Sequence, residues 1–129
     1  MIKLGMRLSL LLALLAMLLL IVALYLPQTA LQAKQIERTL GGDAVLHVTV
    51  GALLPLTLGI LLRLYRWPWR RQAVFWCGCL LLFAVDELAQ GLSPLRAPAA
   101  ADFAFSALGW LIGCSSWMLW LSFRRQPAI

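Results

Sequence analysis

Six side chains in this sequence could do chemistry together: Asp43, His47, Glu87, Gln90, Arg96 and Asp102. The segment "GGDAVLH" sets Asp43 four residues before His47, which puts both on one face of a helix. The segment "DELAQ" sets Glu87 three residues before Gln90, again on one face. Asp102 opens "DFAFSALGWLIG", where Ser106, Gly109 and Gly113 continue its face. A carboxylate beside an imidazole can move protons, and such O and N donors can in principle hold a metal ion. A guanidinium such as that of Arg96 can grip a phosphate or carboxylate with paired hydrogen bonds. No nucleophilic Ser or Cys stands next to His47, and no established hydrolase or metal motif is present. No metal or cofactor is expected from a motif, and whether a metal is used stays open, as does catalysis.

The elements that must position these residues are hydrophobic helices. The chain has 129 residues, 63% of them hydrophobic, and a mean hydropathy of +0.89. A soluble domain is about 45–50% apolar, so the composition points to a membrane. A helix needs about 20 residues to cross a hydrocarbon core, and lipid offers backbone groups no partner outside a helix or a barrel. Four apolar runs predict transmembrane helices over about 8–26, 43–65, 72–90 and 100–123. The expected fold is an all-α, four-helix polytopic bundle, one domain over 1–129. The uncharged run from Ser9 to Leu26 is longer than a signal-peptide core. The small-residue site "ALQA" has Leu31 where a small residue is wanted, so an uncleaved first helix is expected.

The charges orient the bundle. Net charge is +6. The basic residues form no stripe on a polar face, which argues against nucleic acid as a partner. They flank the apolar runs instead. Lys3, Arg7, Arg63, Arg66, Arg70, Arg71, Arg124 and Arg125 fall on one side, with no acid among them. Lys34, Arg38 and Arg96 fall on the other, with all five acids. The positive-inside rule places both termini in the cytoplasm and every acid toward the outside. Trp67, Trp69, Trp117 and Trp120 are expected in the cytoplasmic aromatic belt, and Tyr25 near the outer one.

Each polar residue also has a plainer reading. Asp43 before an apolar run is a favoured N-cap. His47 would serve as a satisfied polar group between helices, and Arg96 would pair with Asp102 or meet lipid phosphate. Asp86, beside Glu87, points elsewhere on its helix and is expected at the interface. Cys77 and Cys79 lie on nearly opposite helix faces and, with Cys114, read as small hydrophobes. Pro55 marks an expected kink, and Pro68 an expected stop to the second helix. The spacing of Gly109 and Gly113 lets another helix approach closely. A charge at the bilayer centre costs about 2.5–3.5 kcal/mol on insertion scales. Three helices nevertheless aim an acid or a His at one side. That grouping predicts one outward-facing polar pocket.

"GGDAVLHVTVGALLPLTLGILL" resembles the Asp-x-x-x-His helix of VanZ-like proteins, and "VDELAQGLSPLRAPAAADFAFSALGWLIG" resembles their second signature. The resemblance covers about residues 41–115. The family pattern has a Lys where this chain has Ala44, and often a His where it has Ala89. The resemblance implies a small multi-pass protein of the bacterial cytoplasmic (inner) membrane with a role in the cell envelope. The family takes its name from a member linked to glycopeptide antibiotic resistance. The expected function is to bind or handle an envelope lipid, a lipid-linked precursor or a glycopeptide-type ligand, with membrane lipids as partners and oligomer formation left open. Two alternatives stand beside it. One is an intramembrane enzyme using Asp43, His47 and Glu87 on a lipid-linked substrate. The other is a structural subunit of an envelope complex.

Overall fold

The computed structural model describes residues 4–92 and 97–124. The described residues are helical and contain no strand. In chain order the helices are α1 (Leu4–Tyr25), α2 (Ala30–Thr39), α3 (Asp43–Leu61), α4 (Trp69–Ala89) and α5 (Ala100–Arg124). Four of them, α1, α3, α4 and α5, are long and apolar enough to cross a membrane. Their bounds differ from the expected ones by a few residues, and α2 is an addition to the four expected helices.

The turns explain the bounds. α2 ends at the pair Gly41–Gly42, with φ of 113° and 90°, a backbone region that glycine adopts without strain. The Gly42 amide donates to the Glu37 carbonyl (2.9 Å) and the Gly41 amide to the Arg38 carbonyl (3.3 Å). This is a Schellman closure, and it turns the chain straight into α3. Gly42 is therefore the N-cap of α3, and Asp43 is its first helical residue rather than the cap. α3 runs through Pro55 and stops at Leu61, well short of the expected residue 65. The stop precedes Pro68: Arg63 turns into the left-handed region (φ 55°), and a 3₁₀ turn follows over Leu64–Arg66. Pro68 instead caps α4, which begins earlier than expected, at Trp69.

The α3–α5 interface is the most extensive in the molecule. His47, Gly51, Pro55 and Gly59 are buried on α3, and Ser106, Gly109, Gly113 and Trp117 on α5. A Cβ at Gly109 would run into the backbone carbonyl of Val48, and one at Gly51 into that of Ser106. A Cβ at Gly113 would stand 2.8 Å from the Ala52 carbonyl oxygen. The two backbones touch, so the glycine spacing on α5 does pack helices, and it meets a matching small face on α3.

The two ends of the bundle differ in chemistry. At the basic end Leu64, Trp76, Trp117 and Leu121 form a hydrophobic core. Trp117 is 2% exposed, so it belongs to this core and not to a surface belt. Its indole N–H donates to Gln72 (3.0 Å), and Gln72 donates to the Trp67 carbonyl (2.9 Å). The Arg124 guanidinium lies over Tyr65 and Trp120, 4.6 and 4.4 Å from the ring centroids. At the opposite end stand Tyr25, Asp86, Glu87, Asp43, His47 and Asp102. The Tyr25 hydroxyl donates to the Asp86 carboxylate (2.7 Å), tying α1 to α4.

Gly109→Ala should destabilise the protein by about 1–3 kcal/mol, since the overpacked site has only backbone to push against. Gly78 provides the control, because a Cβ there meets nothing within 4 Å. Gly78→Ala should leave stability equal or raise it by about 0.5–1 kcal/mol. Thermal unfolding of both variants in detergent checks the pair. Equal melting temperatures would mean that the α3–α5 contact is absent.

Candidate functional site

The site is assembled from the starts of α3 and α5. Asp43 and His47 lie one helical turn apart on α3, and Asp102 and Ser106 one turn apart on α5. The close approach of the helices brings the two pairs face to face. His47 Nδ1 stands 2.9 Å from Ser106 Oγ. His47 Nε2 stands 3.4 Å from one Asp43 oxygen and 4.0 Å from one Asp102 oxygen. One ligand atom from each of Asp43, His47 and Asp102 can be chosen so that all three lie within 4.8 Å of one another. The imidazole is 7% exposed, Asp102 17% and Asp43 34%, so the cluster is buried at the ring and opens on the Asp43 side.

α2 supplies a part of the site that sequence reading missed. Lys34 pairs with Glu37 (2.7 Å) and reaches the second oxygen of Asp43 (3.8 Å). Asp43 thus divides its carboxylate, with one oxygen toward His47 and the other toward Lys34. Glu37 is 1% exposed, and its Oε2 has no hydrogen-bond partner among the described residues. The signal was present in "ALQAKQIERTLGG", with Ala30, Ala33 and Glu37 at three- and four-residue spacing and a glycine stop. Ten residues are too few to stand out beside four long apolar runs. Ser106, read from the sequence as a packing residue, also holds the histidine.

Glu87 and Gln90 form a second group at the same end. Gln90 Nε2 donates to Glu87 Oε2 (2.9 Å), and the Ala99 amide donates to Glu87 Oε1 (2.6 Å). Both side chains are buried. Glu87 therefore ties the end of α4 to the start of α5, three residues before Asp102. Gln90 Oε1 has no hydrogen-bond partner among the described residues. Of the six expected site residues, Asp43, His47 and Asp102 meet directly. Glu87 and Gln90 hold the frame beside them, and Arg96 lies outside the described residues. Asp86 faces Tyr25. The three cysteines are free and differ in burial.

An apolar cleft of about 360 Å³ runs along this end, lined by Ala84, Glu87, Leu88, Pro98, Ala100 and Phe103 among others. Glu87 is the acidic residue in its lining, and Asp43, His47 and Asp102 do not line it. No family model, curated protein or solved structure matches the chain.

Glu87→Gln separates an anchor from a mere surface charge. An amide has one oxygen, while two donors converge on the two carboxylate oxygens of Glu87. Even where the Gln90 amide turns its unpartnered Oε1 to the new NH2, both bonds lose the charged acceptor, at about 1–3 kcal/mol in all. A lower melting temperature with unchanged helical content is the expected outcome. An unaltered melt would show that the α4–α5 tie is not made.

Proposed function

We propose that this chain is a multi-pass protein of the bacterial cytoplasmic membrane, with both termini in the cytoplasm. Its acidic end faces outward and takes the polar head of an envelope lipid or lipid-linked precursor. The observation that carries the reading is the buried His47, held between Asp43 and Asp102 at the end of the bundle away from the basic loop. Ionisable groups within membrane helices are costly and mark functional sites by default. The apolar cleft along Glu87 gives such a ligand room for its hydrophobic part. The resemblance of residues 41–115 to VanZ-like proteins supports the same envelope role.

The membrane setting is supported by α1. Only Leu24 is buried on this helix, and leucines project all round it. Water would penalise so large an apolar surface, whereas lipid tails accept it. The orientation is supported by the charge pattern along the sequence, with eight basic residues in one alternating set of flanking segments against five acids and three bases in the other.

Topology is checked by single cysteines in a cysteine-free background. Gln35→Cys, on the exposed side of α2, should react with an impermeant thiol reagent in intact cells. Arg66→Cys, in the basic turn, should react only after permeabilisation. The reverse pattern would overturn the orientation.

Ligand binding is checked by lipid analysis of the detergent-purified protein. One class of phosphorylated envelope lipid should co-purify with wild type and be depleted in Asp102→Asn. A lipid profile that matches the bulk membrane for wild type would reject the head-group reading.

A further inference from the structure

We infer that Asp43, His47 and Asp102 form a binding site for a divalent metal ion, with Zn²⁺ as the ion that the donor set fits best. The inference does not depend on which ligand the acidic end takes. It begins with the two faces of the imidazole. Nδ1 meets a hydroxyl, Ser106 Oγ at 2.9 Å, while Nε2 faces two carboxylates at 3.4 and 4.0 Å. Metal-binding histidines commonly use their ring nitrogens in this way. One N–H donates to a polar neighbour, which orients the ring and leaves the other nitrogen's lone pair for the ion. In the tautomer that carries its proton on Nδ1, that N–H donates to Ser106 and the Nε2 lone pair points between two carboxylates. Three electron-rich atoms then converge on one point, and a cation is what that point attracts.

One edge of the cluster has the spacing of a tetrahedral site, and the others are wider but stay within 4.8 Å. Zinc bonds nitrogen and oxygen at about 2.0–2.2 Å, so two ligands of one tetrahedral ion stand about 3.4 Å apart. The Nε2–Asp43 separation already has that value, 3.4 Å. The Nε2–Asp102 separation of 4.0 Å needs a small rotation of one carboxylate. One nitrogen and two oxygens leave a fourth position for water, on the side where Asp43 is exposed. The donors are borderline and hard, with no thiolate among them, which favours Zn²⁺ or Mn²⁺ over Cu⁺. The cysteines of α4 and α5 take no part.

Charge points the same way. Glu37, Asp43 and Asp102 bring three carboxylates to this corner, and Lys34 brings one ammonium. Among these groups the carboxylates outnumber the ammonium by three to one, an excess that favours a divalent cation. Glu37 shows the shortage of donors directly, since its buried Oε2 has no hydrogen-bond partner among the described residues. The backbone contact at Gly51 and Gly109 keeps the site assembled before any ion arrives. Both aspartates belong to helices locked together one or two turns away.

The test uses the full chain, purified in detergent and stripped with EDTA. Isothermal titration with Zn²⁺ should give one ion per chain. Co²⁺ as a substitute should give the intense visible absorption of a tetrahedral centre. Asp102→Asn should lose the site, and Ser106→Ala should weaken it by about 10–100-fold, because the ring would lose its orienting partner. His47→Cys guards against a folding artefact. A thiolate at position 47 should keep a site and add a cobalt–sulfur charge-transfer band in the near ultraviolet. Absence of stoichiometric Zn²⁺ or Co²⁺ binding by wild type would overturn the proposal. So would binding that Asp102→Asn and His47→Cys leave unchanged, since the ion would then sit elsewhere.

Discussion

The contact on which the rest depends is backbone against backbone, where α3 crosses α5 at Gly51, Gly109 and Gly113. Side chains elsewhere hold helices about 8–10 Å apart. Glycine removes that spacer and lets the carbonyls of Val48, Ala52 and Ser106 lie where a Cβ would otherwise stand. Close approach multiplies dispersion contacts, the main attraction left to helices when lipid surrounds them. It also sets the register. Once Gly109 rests on Val48, His47 has little choice but to face Ser106 and Asp102. The polar cluster follows from a packing decision made one turn deeper in the bundle.

Two unlike ends grow from that seam. At the basic end large aromatic rings pack between the helices. Trp117 fills the core with its N–H satisfied by Gln72, and Arg124 lies over Tyr65 and Trp120. At the acidic end the seam carries short polar side chains, and the gap is closed by ionic and hydrogen-bonded contacts. The basic end is held mainly by aromatic bulk, whereas the acidic end holds its groups through pairings that a ligand can exchange. A scaffold anchored at one end and chemically open at the other suits a protein that takes a polar head group from outside, as proposed.

The acidic end also divides its labour. Glu87 looked in the sequence like a reactive carboxylate. In the fold it accepts the Ala99 amide and the Gln90 side chain, and so ties α4 to the start of α5. Asp86, its neighbour, receives the Tyr25 hydroxyl and ties in α1. Asp43 and Asp102 are more exposed than Glu87 and flank the histidine. Carboxylates of one chemical type thus become frame or site according to whether backbone amides or an imidazole reach them first.

Sequence by itself determined the helical class, the four long apolar segments and the sorting of charge to opposite ends, because each is a property of local composition. Helical periodicity likewise made the pairing of Asp43 with His47, and of Ser106, Gly109 and Gly113 with Asp102, legible before any fold. It did not reveal α2, whose ten residues carry a weak signal and whose Lys34 and Glu37 matter only because the Gly41–Gly42 turn folds them back toward Asp43. Nor did it show that Trp117 is buried rather than interfacial, or that Arg63 ends α3 ahead of Pro68. Those outcomes depend on which helix lies beside which, and spacing along one helix carries no information about its neighbour. The tertiary structure alone decided that His47 meets Asp102 across the glycine seam while Glu87 turns to the Ala99 amide, since only contact between distant segments can choose among equally polar partners.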